Sequence, residues 1–126
     1  MEAKSRGKRV VVLGASAKPE RYSNQALHLL LEKGFAVLPV HPALDEIEGI
    51  LVFKKLPDLG MPVDTITVYL SPERSAPLVE DLLAVKPRRV IFNPGTENPQ
   101  LQQQLQDAGI EVKEACTLVL LNTGQF

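Results

Sequence analysis

The chain has 126 residues, 44% of them hydrophobic and 23% charged, a balance that gives one globular core burying roughly two-thirds of the unfolded surface. Its 14 basic and 15 acidic residues sum to a formal charge of −1, with no basic block and few aromatic side chains, which excludes the electrostatic footprint of a nucleic-acid binder. A single cysteine, Cys116, and two separated histidines exclude an intrachain disulfide, a thiolate zinc cluster and any metal-ligand spacing, and no apolar run reaches the roughly 18 residues that span a bilayer.

Met1 to Arg9 is charged and leads into a strand-length apolar run rather than a signal-peptide core. The expectation is a cytoplasmic protein with a disordered or frayed tail over residues 1–7 and one domain over residues 8–126. Arg9 to Leu13 is a β-branched run ending at Gly14, the pattern of a strand buried on both faces of a parallel sheet. Ser23 or Asn24 then caps a helix that carries Ala26, Leu27, Leu30 and Leu31 and closes at Gly34. Phe35 to Val40 follows as a second strand, completing a βαβ unit.

From His41 to Pro62 the chain reads as an irregular crossover with a short strand at Ile50 to Phe53 and a turn at Leu56 to Leu59, before a β-rich run from Asp64 to Leu70. Pro77 is tolerated only in a helix's first turn, so the next helix is expected near Arg74 or Ser75, leaving Ser71 to Arg74 as a loop. Its apolar face holds Val79, Leu82 and Leu83. Arg88 to Phe92 is a strand, Asn93 to Glu97 a turn, and Asn98-Pro99 the cap and first position of a helix reaching Ala108, closed by Gly109. Ile110 to Lys113 is the last strand, and Thr117 caps a closing helix to Leu121. This alternation predicts an open, doubly wound, mostly parallel sheet of five strands with helices on both faces.

Ligands of such sheets bind outside the carboxyl ends of the strands, where strand order reverses. Those ends carry Gly14-Ala15-Ser16, Val40-His41-Pro42, Leu70-Ser71-Pro72, Asn93-Pro94-Gly95 and Cys116. Gly14 permits the sharp turn, Ser16 offers a hydroxyl, and the helix start at Ser23 and Asn24 presents a positive end to phosphate, with Lys18 and Arg21 on the same loop. A nicotinamide clamp would need two further glycines and an acid after the second strand, where this chain has His41-Pro42; Asp45 and Glu46 come too late. His41 is either a ligand contact or an exposed loop histidine, and His28, four residues before Glu32, is a surface residue. Asn93-Pro94-Gly95 is a turn and a wall of the cleft; Cys116 either packs as a small hydrophobe or faces the ligand. Ser16, Ser71 and Cys116 lack the motif of an activated nucleophile, so no catalytic constellation is visible.

Taken together, Val12 to Ser16 with Lys18-Pro19 and Ser23-Asn24, Pro39 to Pro42, Tyr69 to Glu73, Phe92 to Asn98 and Glu114 to Thr117 resemble the small single-domain CoA-binding proteins. That family is similar to the N-terminal domain of the succinyl-CoA synthetase α subunit and of ADP-forming acyl-CoA synthetases. The resemblance implies a Rossmann-like domain that binds coenzyme A or an acyl-CoA. Gly14, Ala15, Ser16 and Lys18 would then lie near phosphate, Val40-His41-Pro42 near the adenosine end, and Leu70-Ser71-Pro72 along the cofactor. His41 stands where the family commonly has asparagine. The ligase's phosphorylated histidine and nucleotide-grasp partner lie outside this domain, so ligase chemistry is not implied. Three functions remain open: a non-catalytic CoA-binding module, a small NAD(P)- or nucleotide-dependent enzyme, and an interaction domain with a vestigial cleft. A homodimer or a partner enzyme subunit is compatible with each.

Overall fold

A computed structural model describes residues 8–60 and 62–126, so the tail expected over residues 1–7 lies outside the described residues. The central sheet is built from β1 (Arg9–Leu13), β2 (Ala36–Val40), β5 (Thr65–Val68), β6 (Arg89–Phe92) and β7 (Glu111–Glu114), in the order β2-β1-β5-β6-β7 and parallel throughout. Helix α1 (Tyr22–Glu32) joins β1 to β2, and a two-stranded hairpin, β3 (Glu46–Ile47) and β4 (Ile50–Leu51), follows. Beyond β5 come α2 (Pro72–Ser75), a 3₁₀ turn at Ala76–Leu78 and α3 (Val79–Val85). Helix α4 (Pro99–Asp107) precedes β7, and α5 (Thr117–Asn122) closes the fold.

Both sheet faces are covered, as the near-continuous apolar runs of β1 and β6 require. Alternate residues of the same strands supply two cores. Val11, Leu13, Ile66, Val68, Val90 and Phe92 pack with Leu82 of α3, Leu101 and Leu105 of α4 and Leu56 and Leu59 of a 3₁₀ turn. On the opposite face, Val10, Val12 and Val37 pack with Leu27 and Leu30 of α1 and Leu121 of α5, with Ile47 of the hairpin sealing the edge. At β2, which contains Pro39, the edge is also covered by Phe53, whose amide donates to the Pro39 carbonyl at 2.9 Å and whose carbonyl accepts from the His41 amide at 2.9 Å. Proline in an edge strand removes a donor that would otherwise invite another chain.

Four expected boundaries move. The segment Ser71 to Arg74 is not a loop: Pro72 occupies the first position of α2, and Pro77 is accommodated in the 3₁₀ turn that separates α2 from α3. Breaking the helix once, rather than delaying its start, resolves the missing amide of Pro77. Helix α1 is capped by Arg21 in an extended conformation, not by Ser23 or Asn24, both of which are buried beneath its first turn. Where a strand from Ile50 to Phe53 was expected, the ladder stops at Leu51 and Phe53 forms an isolated bridge to Val40. Finally, the cap of α5 is Cys116, with Thr117 already inside the helix.

The β3–β4 turn, Glu48-Gly49, was missed because a glutamate rarely adopts its geometry. Glu48 has φ 51 and Gly49 φ 87, the double positive φ of a two-residue hairpin that Asn-Gly fills best. His28, expected at the surface, reaches Glu48 at 3.0 Å, but both side chains are about half exposed and the contact adds little. Glu48→Asn is therefore expected to stabilise the protein by about 0.5–1 kcal/mol, read as a higher denaturant midpoint at unchanged slope.

Candidate functional site

The reversal of strand order lies between β1 and β5, because the chain leaves β1 for β2 on one side and returns on the other. Above it the first loop runs from Gly14 to Arg21. The amides of Gly14 and Ala15 both donate to the Val40 carbonyl at 3.1 Å, joining this loop to the end of β2. On the other flank the Tyr69 amide donates to the Leu13 carbonyl at 2.8 Å. Gly14 has φ +90, and a Cβ there would lie 2.9 Å from Leu70 Cδ2 and 3.1 Å from the Tyr69 carbonyl carbon. Glycine is thus required twice, by the turn and by the approach of the β5 end.

Side chains close the rest of the first loop. Ser16 Oγ accepts from the Lys18 amide at 3.1 Å, the Lys18 carbonyl accepts from the Arg21 amide at 3.0 Å, and Asn24 Nδ2 donates to the Ser16 carbonyl at 2.9 Å. Asn24 and Ser23 are buried, so their side chains support the loop from below, and Ala15 is buried with them. Lys18 and Arg21 are exposed, and neither forms an ion pair among the described residues. They flank the start of α1, which has no side-chain cap and no acidic residue in its first turn, so its positive end is uncompensated.

At the end of β2, Val40 is buried with its carbonyl committed to the first loop, His41 is half-buried and Pro42 exposed. His41 Nδ1 accepts from the Ala43 amide at 2.9 Å, which places the ring proton on Nε2 in the neutral form. At β5, Leu70 is half-buried against Gly14, Ser71 exposed, and Pro72 half-buried. The turn they form is held by Asn98, whose Nδ2 reaches the Pro72 carbonyl at 3.4 Å and Ser75 Oγ at 3.3 Å while its Oδ1 caps α4 through the Leu101 amide.

Asn93 does more than turn the chain. It is 3% exposed; its Nδ2 donates to Thr67 Oγ1 at 2.7 Å and to the Val68 carbonyl at 2.9 Å, and its Oδ1 accepts from the Thr117 amide at 2.8 Å. The hydroxyls of Thr67 and Thr117 lie 2.7 Å apart. This side chain is therefore spent inside the fold, while Pro94 and Gly95 are exposed beside it. Cys116 is half-buried at the start of α5, neither a core residue nor fully open.

Tyr69 was not singled out in the sequence. Its hydroxyl is buried and has no hydrogen-bond partner among the described residues. Burial raises its pKa to about 12, with the nearby Cys116 thiol adding to the rise; Thr67 and Thr117 lie close enough to oppose it, although neither bonds it with acceptable geometry. The signal was the alternation Thr65, Thr67, Tyr69 within a run buried on both faces, where hydroxyls need partners. A shallow depression of about 600 Å³ between α1 and α5, lined by Asn24, His28, Glu48, Leu118 and Asn122 among others, reaches the first loop at Pro19.

Two outcomes test this geometry. Gly14→Ala should lower stability by about 1–3 kcal/mol in chemical denaturation, because positive φ and the contact with Leu70 and Tyr69 act together. Tyr69 holds its proton more tightly folded, to about 12, than at its usual 10.0, because burial penalises the ionised form, so its titration leaves stability untouched below pH 10 and lowers it as pH rises toward 12. Unfolding free energies measured across that window should fall more steeply for the native protein than for Tyr69→Phe.

The fold recurs in known proteins. An uncharacterized protein of known crystal structure shares 37% sequence identity at a TM-score of 0.89, covering 95% of this chain and 98% of that one. The uncharacterized protein YneT of Bacillus subtilis (strain 168) is 27% identical over 108 residues, 86% of this chain and 80% of its own length. Acetyl-coenzyme A synthetase 1 of Ca. Korarchaeum cryptofilum, solved with phosphate and ADP, shares the fold at 23% identity and a TM-score of 0.71, covering 88% of this chain and 26% of that one. The CoA binding domain family matches residues 8–122, and the chain belongs to that family.

Proposed function

We propose that residues 8–126 bind coenzyme A or an acyl-CoA across the carboxyl ends of the strands as a non-catalytic binding module. The observation that carries this reading is the first loop: two exposed cations, Lys18 and Arg21, in no ion pair among the described residues, flank the start of an 11-residue helix that has no side-chain cap. CoA brings a pyrophosphate and a 3′-phosphate, and a helix N-terminus with two adjoining cations matches that charge better than the tight three-glycine turn of a dinucleotide site. The ribose end argues the same way. The first carboxylate after β2, Asp45, is held by Lys54 at 2.7 Å, and His41 and Pro42 occupy the place where a nicotinamide enzyme grips the 2′-hydroxyl with an acid. In this reading Gly14 and Ala15, whose amides are spent on the Val40 carbonyl, set the start of the loop beside the phosphates with Ser16 next to them, Val40 to Pro42 flank the adenosine, and Leu70 to Pro72 guide the arm.

Calorimetric titration with CoA, acetyl-CoA, NAD and NADP in one buffer tests the choice of ligand. CoA should bind and the nicotinamides should not. Lys18→Ala and Arg21→Ala should each weaken CoA binding roughly ten-fold at unchanged melting temperature, as loss of a charge-assisted phosphate contact requires. Equal affinity for NAD, or CoA affinity indifferent to both substitutions, overturns the assignment.

A further inference from the structure

The buried hydroxyl of Tyr69 is not accounted for by folding. Asn93 commits both of its amide hydrogens and its carbonyl oxygen to Thr67, Val68 and Thr117, and the two threonine hydroxyls share one hydrogen bond. Tyr69 sits at the margin of this set with a buried oxygen and no hydrogen bond among the described residues. An unsatisfied buried donor costs stability, and such costs persist where a ligand later supplies the partner.

Its position says which part of a ligand is near. Tyr69 is tied by its amide to Leu13 and lies against Gly14 at the base of the first loop, while its hydroxyl is beside Thr67 and Thr117, where α5 begins. The residue thus bridges the phosphate-facing loop and the neighbouring wall of the cleft. Resting on the CoA reading above, we propose that Tyr69 is a specificity residue for the pantetheine arm, its hydroxyl donating to an arm carbonyl where the arm leaves the first loop for the start of α5.

The experiment compares the native protein and Tyr69→Phe by calorimetry with two ligands, CoA and adenosine 3′,5′-bisphosphate, which keeps a ribose with two phosphates and lacks the arm. Tyr69→Phe should weaken CoA about three- to ten-fold, leave the bisphosphate unchanged, and raise the melting temperature of the unliganded protein, because the orphan hydroxyl is gone. Weakening of both ligands alike, no change with either, or a lower unliganded melting temperature each overturns the role given to Tyr69. Failure of the native protein to bind CoA at all is a different result, which removes the CoA reading itself and this inference with it.

Discussion

One buried carboxamide holds the functional end of this fold together. Asn93 follows β6 directly, and its side chain bonds the strand beside it and the first amide of the helix beyond the next strand. Parallel sheets place all their strand-to-helix loops at one end, and each helix arriving there presents amides without partners. Asn93 satisfies one such amide and fixes α5 against β5 in the same act. Each buried group it serves would cost about 1–3 kcal/mol if left unpaired, so the wall carrying Cys116 depends on a residue that need not touch a ligand.

The two ends of the sheet are finished by different chemistry. At the amino ends of the strands charges are neutralised. Arg88 grips Asp64 through two bonds, at 2.9 and 3.2 Å, and reaches Glu111 at 3.4 Å. Burial pushes the Asp64 carboxyl up, but the bonds from Arg88 and Thr65 outweigh it and hold the group below its ordinary value. Arg89, buried beside them, rests 4.6 Å over the Phe126 ring, which meets Phe35 edge to face. At the carboxyl ends Lys18 and Arg21 form no ion pair among the described residues, and the first turn of α1 holds no acidic residue. The Arg88 network and the stacked Arg89 thus tie the amino ends together, whereas Lys18 and Arg21 at the carboxyl ends face solvent.

The order of strands and helices was legible because hydrophobic runs and glycine punctuation agree throughout: Val10 to Val12, Gly34, Asn98-Pro99 and Gly109 each stand where the structure uses them. What was not legible depended on contacts distant in sequence. Nothing local in Asn93-Pro94-Gly95 reveals a carboxamide bonded 24 to 26 residues away in both directions. Ser23 and Asn24 have the chemistry of helix caps, but burial of both against the sheet, with Asn24 pinning the Ser16 carbonyl, overrode that preference. Pro77 was given too much weight, since a single 3₁₀ step absorbs a proline that a continuous helix would reject.

The single glycine of the first loop follows from the same contacts. A three-glycine turn lets a helix approach a strand closely and leaves little room for side chains on the turn itself. Here Gly14 alone meets the close approach, from Leu70 and Tyr69, and the remainder of the turn is closed by Ser16 and Asn24 through side-chain bonds. A turn stabilised that way is long enough to carry Lys18 and Arg21 into solvent at the start of α1. The single glycine and the two exposed cations are therefore one structural choice: the turn gives up the close backbone approach that further glycines allow and carries charged side chains into solvent instead.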